Sequence, residues 1–268
     1  MIPKIIHYCW FGRNPKPKLA EKCIKSWKKY CPEYEIIEWN EDNYDLSSAP
    51  LYVRQAYEAK RWAFVTDYIR LQVIYEHGGI YLDTDVELRK SLDPLLVHQA
   101  YFGFEDGSHI NTGIGFGAEK GHCILKEMMN DYQDVSFQNE DGSFDLMPCP
   151  VRNTEIFLRH GLKQNNVRQM LDYGILILPS EYFCPLDYAT DTKKVTDNTY
   201  SIHWFDASWQ TKKEQIQTKK WKQDVRREQR MLRWISIRRG IRRIILNDER
   251  YEKIKVMLKK MMLTTEER

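Results

Sequence analysis

The sequence predicts an α/β fold built on a parallel sheet, and three observations carry that prediction. Strand and helix signals alternate from residue 4 to residue 60. Apolar residues at Phe64, Val65, Tyr68, Leu71 and Tyr75 then repeat at helical spacing and stop at Gly78-Gly79. The next run, Ile80 to Leu82, has the short apolar character of a buried parallel strand, and it leaves the sheet through two carboxylates, Asp83 and Asp85. Ligands of open α/β sheets bind at the carboxyl ends of strands, so this pair stands where chemistry is expected.

Taken in order, Lys4 to Trp10 reads as a first strand and Gly12 to Pro17 as a loop. A helix from Lys18 to Tyr30 follows, because Leu19, Cys23, Ile24 and Trp27 share one face and Cys31-Pro32 ends it. Tyr34 to Trp39 is a second strand, Asn40 to Ala49 a polar loop, and Leu51 to Lys60 a helix opened by Pro50. Beyond Glu87, Ala100 to Phe104 is a strand and Glu105 to Ser108 a turn. In His109 to His122 the glycines Gly113, Gly115 and Gly117 alternate with apolar residues. Their spacing matches no phosphate-loop fingerprint, so a strand closely approached by another backbone or by a sugar is the better reading. Helices at Gly121 to Asp131 and Asn153 to His160 and a strand at Ile175 to Leu178, ended by Pro179, complete the body.

Composition narrows the function classes. The chain has 268 residues, enough for one α/β domain and an appendage. Its six cysteines show neither zinc nor disulfide-framework spacing, so a reducing compartment is expected. No apolar run approaches a membrane span, and the N-terminus lacks signal-peptide order; a cytoplasmic location follows as an expectation. The net charge of +3 hides an asymmetry: from Lys212 to Arg268 there are 19 Lys and Arg against 8 Asp and Glu. Trp234, Ile237, Ile241 and Ile244 repeat at helical steps there. Tyr251, Ile254, Leu258 and Met261 do so again after a break near Asn247-Asp248. The expected domains are therefore a body, 1–211, and a basic amphipathic helical tail, 212–268. The tail either packs on protein or lies on the anionic inner face of a membrane.

Hard oxygen donors at alternate positions of an extended segment point to one side, and Asp83 with Asp85 suits a divalent cation that also takes phosphate oxygens. An Asp-x-Asp alone is most often a solvated turn. The order helix, Gly-Gly, apolar strand, Asp-Thr-Asp is longer and resembles the sugar-nucleotide-binding region of glycosyltransferase family 32. That family includes bacterial capsule transferases, yeast initiating mannosyltransferases and, more distantly, the catalytic domains of clostridial glucosylating toxins. The resemblance covers about the first 120 residues and a patch near His203. It implies a GT-A-like, Rossmann-related fold and a retaining transfer of a hexose from a UDP-sugar, with Mn²⁺ or Mg²⁺, to a glycan, glycoprotein or lipid-linked acceptor. No nucleic-acid partner is implied.

By the same resemblance Trp10, at the end of the first strand, stacks on the uracil of the donor. Asp67 and Arg70, three apart on one helix face, hold sugar or ribose hydroxyls. Tyr81 lies near them. Asp83 serves ribose and metal, Asp85 ligates the metal directly, and His203 is its third ligand. Ser208 and Trp209 reach the diphosphate, and Asn111 faces the reacting sugar. Two other classes compete: a metal-dependent nucleotide-sugar or phosphodiester hydrolase, and a nucleic-acid-binding protein acting through the tail. The seven histidines do not cluster as hydrolase ligands, and the tail's apolar residues follow helical periodicity instead of interleaving with its charges.

Overall fold

The computed structural model describes residues 1–207 and 212–245, with side chains of the last helix described in part. Ser208, Trp209 and the expected second tail helix at Tyr251, Ile254, Leu258 and Met261 lie outside the described residues. The chain divides into two units, Met1–Gln210 and Thr211–Arg268. The second contains one described helix, α6 (Lys212–Ile245). No described helix is long and apolar enough to cross a membrane.

In the first unit the elements are β1 (Ile5–Cys9), α1 (Lys18–Tyr30), β2 (Glu35–Trp39), α2 (Leu51–Glu58), α3 (Trp62–His77) and β3 (Gly79–Tyr81). They are followed by β4 (Val86–Leu88), β5 (Ala100–Gly103), β6 (Phe116–Ala118), α4 (Cys123–Asn130), α5 (Cys149–Arg159), β7 (Gln169–Leu171), β8 (Ile175–Leu178) and β9 (Ser201–His203). Seven strands form one sheet in the order β2-β1-β3-β6-β5-β8-β7, and β4 pairs with β9 in a separate ribbon. The α/β class is the one the sequence predicts.

The sheet is mixed, however. Strands β2, β1 and β3 are mutually parallel, and so are β5 and β8, while β6 and β7 run against their neighbours. Connection length explains both reversals. β7 and β8 are joined by Asp172–Gly174, where Tyr173 and Gly174 take φ of 58° and 66°. So short a link permits only an antiparallel return. β5 and β6 are joined without a helix, so the chain again doubles back.

Helix α3 lies against the middle of this sheet, with Val65, Ile69, Leu71, Val73 and Ile74 all buried. It stops at Gly78, whose φ is 71°. Gly79 takes φ of 108°, and a β-carbon there would lie 2.8 Å from the Ile5 carbonyl oxygen of β1. The paired glycines thus end the helix and let β3 enter beside β1. Two apolar clusters form the core, one containing Val65, Ile69, Phe102 and Phe157, the other Ile6, Trp27, Ile80, Leu82 and Leu176. Gly117 of β6 fits the expectation of a close approach: a β-carbon would meet the Tyr101 ring at 2.6 Å and the Gly79 carbonyl at 3.2 Å.

His7 sits wholly inside β1. The Trp39 indole N–H donates to its Nδ1 at 3.0 Å, so its Nε2–H donates to the Gly78 carbonyl, also at 3.0 Å. Burial holds this imidazole neutral, with its pKa lowered to about 4 from 6.5. A lowered basic group stays uncharged in the folded state while the unfolded chain takes up a proton, so its contribution is full above pH 6.5 and is lost as pH falls toward 4. We expect His7→Gln to be less stable than the wild type at pH 7. Across the window from pH 6.5 to 4, the wild type should lose about 3 kcal/mol more of its unfolding free energy than the variant. Urea titrations at the two pH values check this.

Candidate active site

Asp83 follows β3, and its backbone N–H donates to the Gly113 carbonyl at 3.1 Å. Its Oδ1 is gripped from within the fold: the Tyr81 hydroxyl donates at 3.0 Å and Arg70 Nη2 at 3.3 Å. Its Oδ2 occupies the space beside Gly113, where a β-carbon would come within 2.3 Å. Glycine at 113 is thus required by the carboxylate and not by the backbone.

Asp85 is held by the end of β9. Antiparallel pairing of β4 with β9 sets Val86 opposite His203, and the Trp204 N–H donates to the Asp85 carbonyl at 3.0 Å. His203 Nε2 lies 3.2 Å from Asp85 Oδ1, and the Asp206 N–H donates to Oδ2 at 2.9 Å. Helix α1 fixes the ribbon from beneath: the Trp27 indole N–H donates to the Val86 carbonyl at 2.7 Å, and the Leu88 N–H to the Ser26 hydroxyl oxygen at 2.9 Å.

One potential ligand atom each from Asp83, Asp85 and His203 lies within 4.8 Å of the others. Two carboxylates and an imidazole are a donor set that Mn²⁺ or Mg²⁺ accepts. The imidazole of His203 is buried, with the Asp85 carboxylate and the Cys184 thiol as its polar neighbours. The residues therefore fit a divalent cation. Their electrostatics differ. Burial pushes the Asp83 carboxyl up against the pull of Arg70. Burial acts on Asp85 in the same direction, yet the charge and hydrogen bond of His203 hold it below the ordinary range. His203 is correspondingly raised well above its ordinary value by Asp85, against its own desolvation. A cation at these atoms competes with that imidazole proton, so its affinity falls as pH is lowered.

Around this core the structure brings together most of the expected residues. Asp67 and Arg70 are both buried, and Arg70 Nη1 lies 3.2 Å from Asp67 Oδ1. Burial raises Asp67 to about 6 although Arg70 opposes the shift. The pair is thus an internal ion pair whose cation also reaches Asp83. Tyr81 is 1% exposed and acts on Asp83 through its hydroxyl. Trp10 stands at the carboxyl end of β1, half-buried, with its indole N–H donating to the Asn14 carbonyl at 2.7 Å and Lys16 Nζ 5.7 Å from its ring centre. Asn111 is buried beside Gly113, whose N–H donates to Asn111 Oδ1 at 2.5 Å. Ser208 and Trp209 are not among the described residues.

Three residues that the sequence did not single out join the site. Cys149, at the start of α5, donates to Asn111 Oδ1 at 3.5 Å and lies 3.6 Å from Arg70 Nη1. Thr112 accepts from Asn153 Nδ2 at 3.0 Å. Glu105, two residues past the end of β5, accepts from the Asn111 amide, and burial raises its carboxyl above the ordinary range. Only Glu105 carried a signal, as a charge placed immediately after a wholly apolar strand end.

Residues 17–102, which include Asp83 and Asp85, match the model of a family described as "Glycosyltransferase sugar-binding region containing DXD motif". Asn111 and His203 lie beyond the matched segment. Among curated proteins the chain is similar to inositol phosphoceramide mannosyltransferase 3 of Schizosaccharomyces pombe, 31% identical over 143 residues, 51% of this chain and 38% of that protein. It is also similar to mannosyltransferase 2 of the same organism, 31% identical over 122 residues, 42% of this chain and 34% of that protein. The chain therefore spans well under half the length of these relatives. Among solved structures it is similar to the PaToxG glycosyltransferase, with TM-score 0.47, 18% identity and coverage of 59% of this chain and 68% of that one. The galactosyltransferase LgtC gives TM-score 0.40, 17% identity and coverage of 82% and 94%.

Gly113→Ala tests the fit at Asp83. Its β-carbon must displace the Asp83 carboxylate, so Mn²⁺ affinity measured by calorimetry should fall roughly 10- to 100-fold, the range for disturbed support of a ligand. Unchanged Mn²⁺ binding in a folded variant would detach Asp83 from the ligand set.

Proposed function

We propose that this chain is a retaining glycosyltransferase that moves a hexose from a UDP-sugar to a glycan or lipid-linked acceptor with the help of a divalent cation. The observation that carries the proposal is the convergence of Asp83, Asp85 and His203 at the carboxyl edge of the sheet, with the two aspartates inside the matched sugar-binding region. The retaining outcome and the place among surface-polysaccharide enzymes rest on the family 32 resemblance.

In this reading the bond between the anomeric carbon and the diphosphate oxygen breaks, the acceptor oxygen bonds that carbon, and the hydroxyl proton leaves with the released diphosphate. The barrier lies in the charge gathering on the leaving group. A Mn²⁺ or Mg²⁺ ion held by Asp83, Asp85 and His203 would neutralise that charge as a Lewis acid. Tyr81 and Arg70 hold the Asp83 carboxylate in one orientation. Trp10 offers an aromatic face to the base, and the Asp67–Arg70 pair offers polar groups to sugar hydroxyls.

A second reading concerns the donor. The curated relatives are named mannosyltransferases, which favours mannose, ordinarily carried on GDP, as the transferred sugar. Incubating the protein with Mn²⁺ and UDP-glucose, UDP-galactose or GDP-mannose, and following release of the nucleoside diphosphate, tests both. Asp85→Asn should reduce turnover by at least 100-fold while the protein stays folded, because the amide keeps the shape and loses the charge. Full activity in that variant would remove the aspartate from the machinery. Trp10→Ala should weaken nucleotide binding by roughly 1 to 3 kcal/mol, the range for base stacking. A lower melting temperature with unaltered nucleotide affinity would make Trp10 a packing residue.

A further inference from the structure

We propose that Glu105 reads the sugar being transferred, its carboxylate accepting a hydrogen bond from one of that sugar's hydroxyls; the proposal rests on the transferase reading above. Three observations place it there. Glu105 stands just past the carboxyl end of β5, at the same sheet edge as Asp83. The loop carrying it is closed by the Glu105 N–H donating to the His109 carbonyl at 2.8 Å and by the Phe104–Ile110 bridge. A chain of contacts also ties it to the Asp-x-Asp end of the site. The Asp83 N–H bonds Gly113, the Gly113 N–H bonds Asn111 Oδ1, and Asn111 Nδ2 bonds Glu105 Oε2.

These bonds take three of the four hydrogen-bonding positions of the Asn111 amide: its Oδ1 accepts from Gly113 and from Cys149, and one Nδ2–H donates to Glu105, so the amide fixes the orientation of Glu105. Glu105 Oε1, by contrast, receives no hydrogen bond from the described residues. An anion at the edge of a diphosphate site repels phosphate, and its charge there is compatible only with donors. A pyranose presents such donors in its hydroxyls, and a carboxylate is the strongest acceptor a protein offers them. The Glu105 signal is thus directed at the sugar and away from the nucleotide.

The experiment measures binding of UDP, UDP-glucose, UDP-galactose, GDP and GDP-mannose to the full chain with Mn²⁺, for the wild type and Glu105→Gln. The glutamine keeps an oxygen for Asn111 and removes the charge. Nucleotide affinity should be retained or increased. Affinity for the preferred nucleotide sugar should fall at least ten-fold, and discrimination among sugars should narrow. Equal weakening of nucleotide and nucleotide sugar, with a lower melting temperature, would reduce Glu105 to a prop for Asn111 and overturn the proposal. Unchanged sugar affinity would overturn it as well. If the wild type binds nucleotides but gains nothing from any of the sugars, the inference fails; if it binds none of the five compounds, the transferase reading fails first. Glu105→Ala, which also removes the Asn111 partner, should lower stability further than Glu105→Gln and separates the two roles.

Discussion

The site depends on one constraint, the crowding of carboxylates at the edge of a sheet. Asp67, Asp83, Asp85 and Glu105 meet there, and Arg70 and His203 form direct ion pairs with the three aspartates. Buried charges persist only when paired and hydrogen-bonded. Arg70 answers by dividing its guanidinium between two anions, with Thr66 as a further anchor at 2.9 Å. His203 answers by holding its proton toward Asp85. The surplus of negative charge that remains is the property by which such a site attracts a cation.

Support comes from both halves of the first unit. The early elements supply the aromatic edge and the Asp-x-Asp turn. The later ones supply Asn111, Cys149 and His203, which fix where those carboxylates point. Helix α5 places a neutral thiol among charged groups; burial raises Cys149 well above its ordinary value, so it stays protonated and donates to Asn111. A buried thiol of this kind packs like a small apolar group and still satisfies one acceptor.

Much of the fold was legible because the early elements are long and well marked. Helix α1 runs from Lys18 to Tyr30 as its apolar spacing and flanking residues require. β4 and β7 were missed because three residues are too few to show a period, and their pairing comes from elsewhere in the chain. Asp83, Asp85 and His203 were legible from residue type and context, and the geometry gathers them. The sequence could not show that Asp67 and Arg70 face inward, since a three-residue spacing marks a shared helix face without saying what covers it. Thr112, Cys149 and Asn153 were hidden for a related reason: each is ordinary in its own segment and acquires a role only through neighbours distant in sequence.

The β4–β9 ribbon carries a consequence for how the protein is made. Its two strands are separated by more than a hundred residues, and His203 reaches Asp85 only when the later strand docks beside the earlier one. Closing so long a loop is among the slow events of folding, because its entropy is spent before any contact offsets it. A nascent chain that has already laid down β1, α3 and β3 thus holds the Asp-x-Asp turn without its histidine. His203 can join Asp85 only once the end of the first unit has been synthesised.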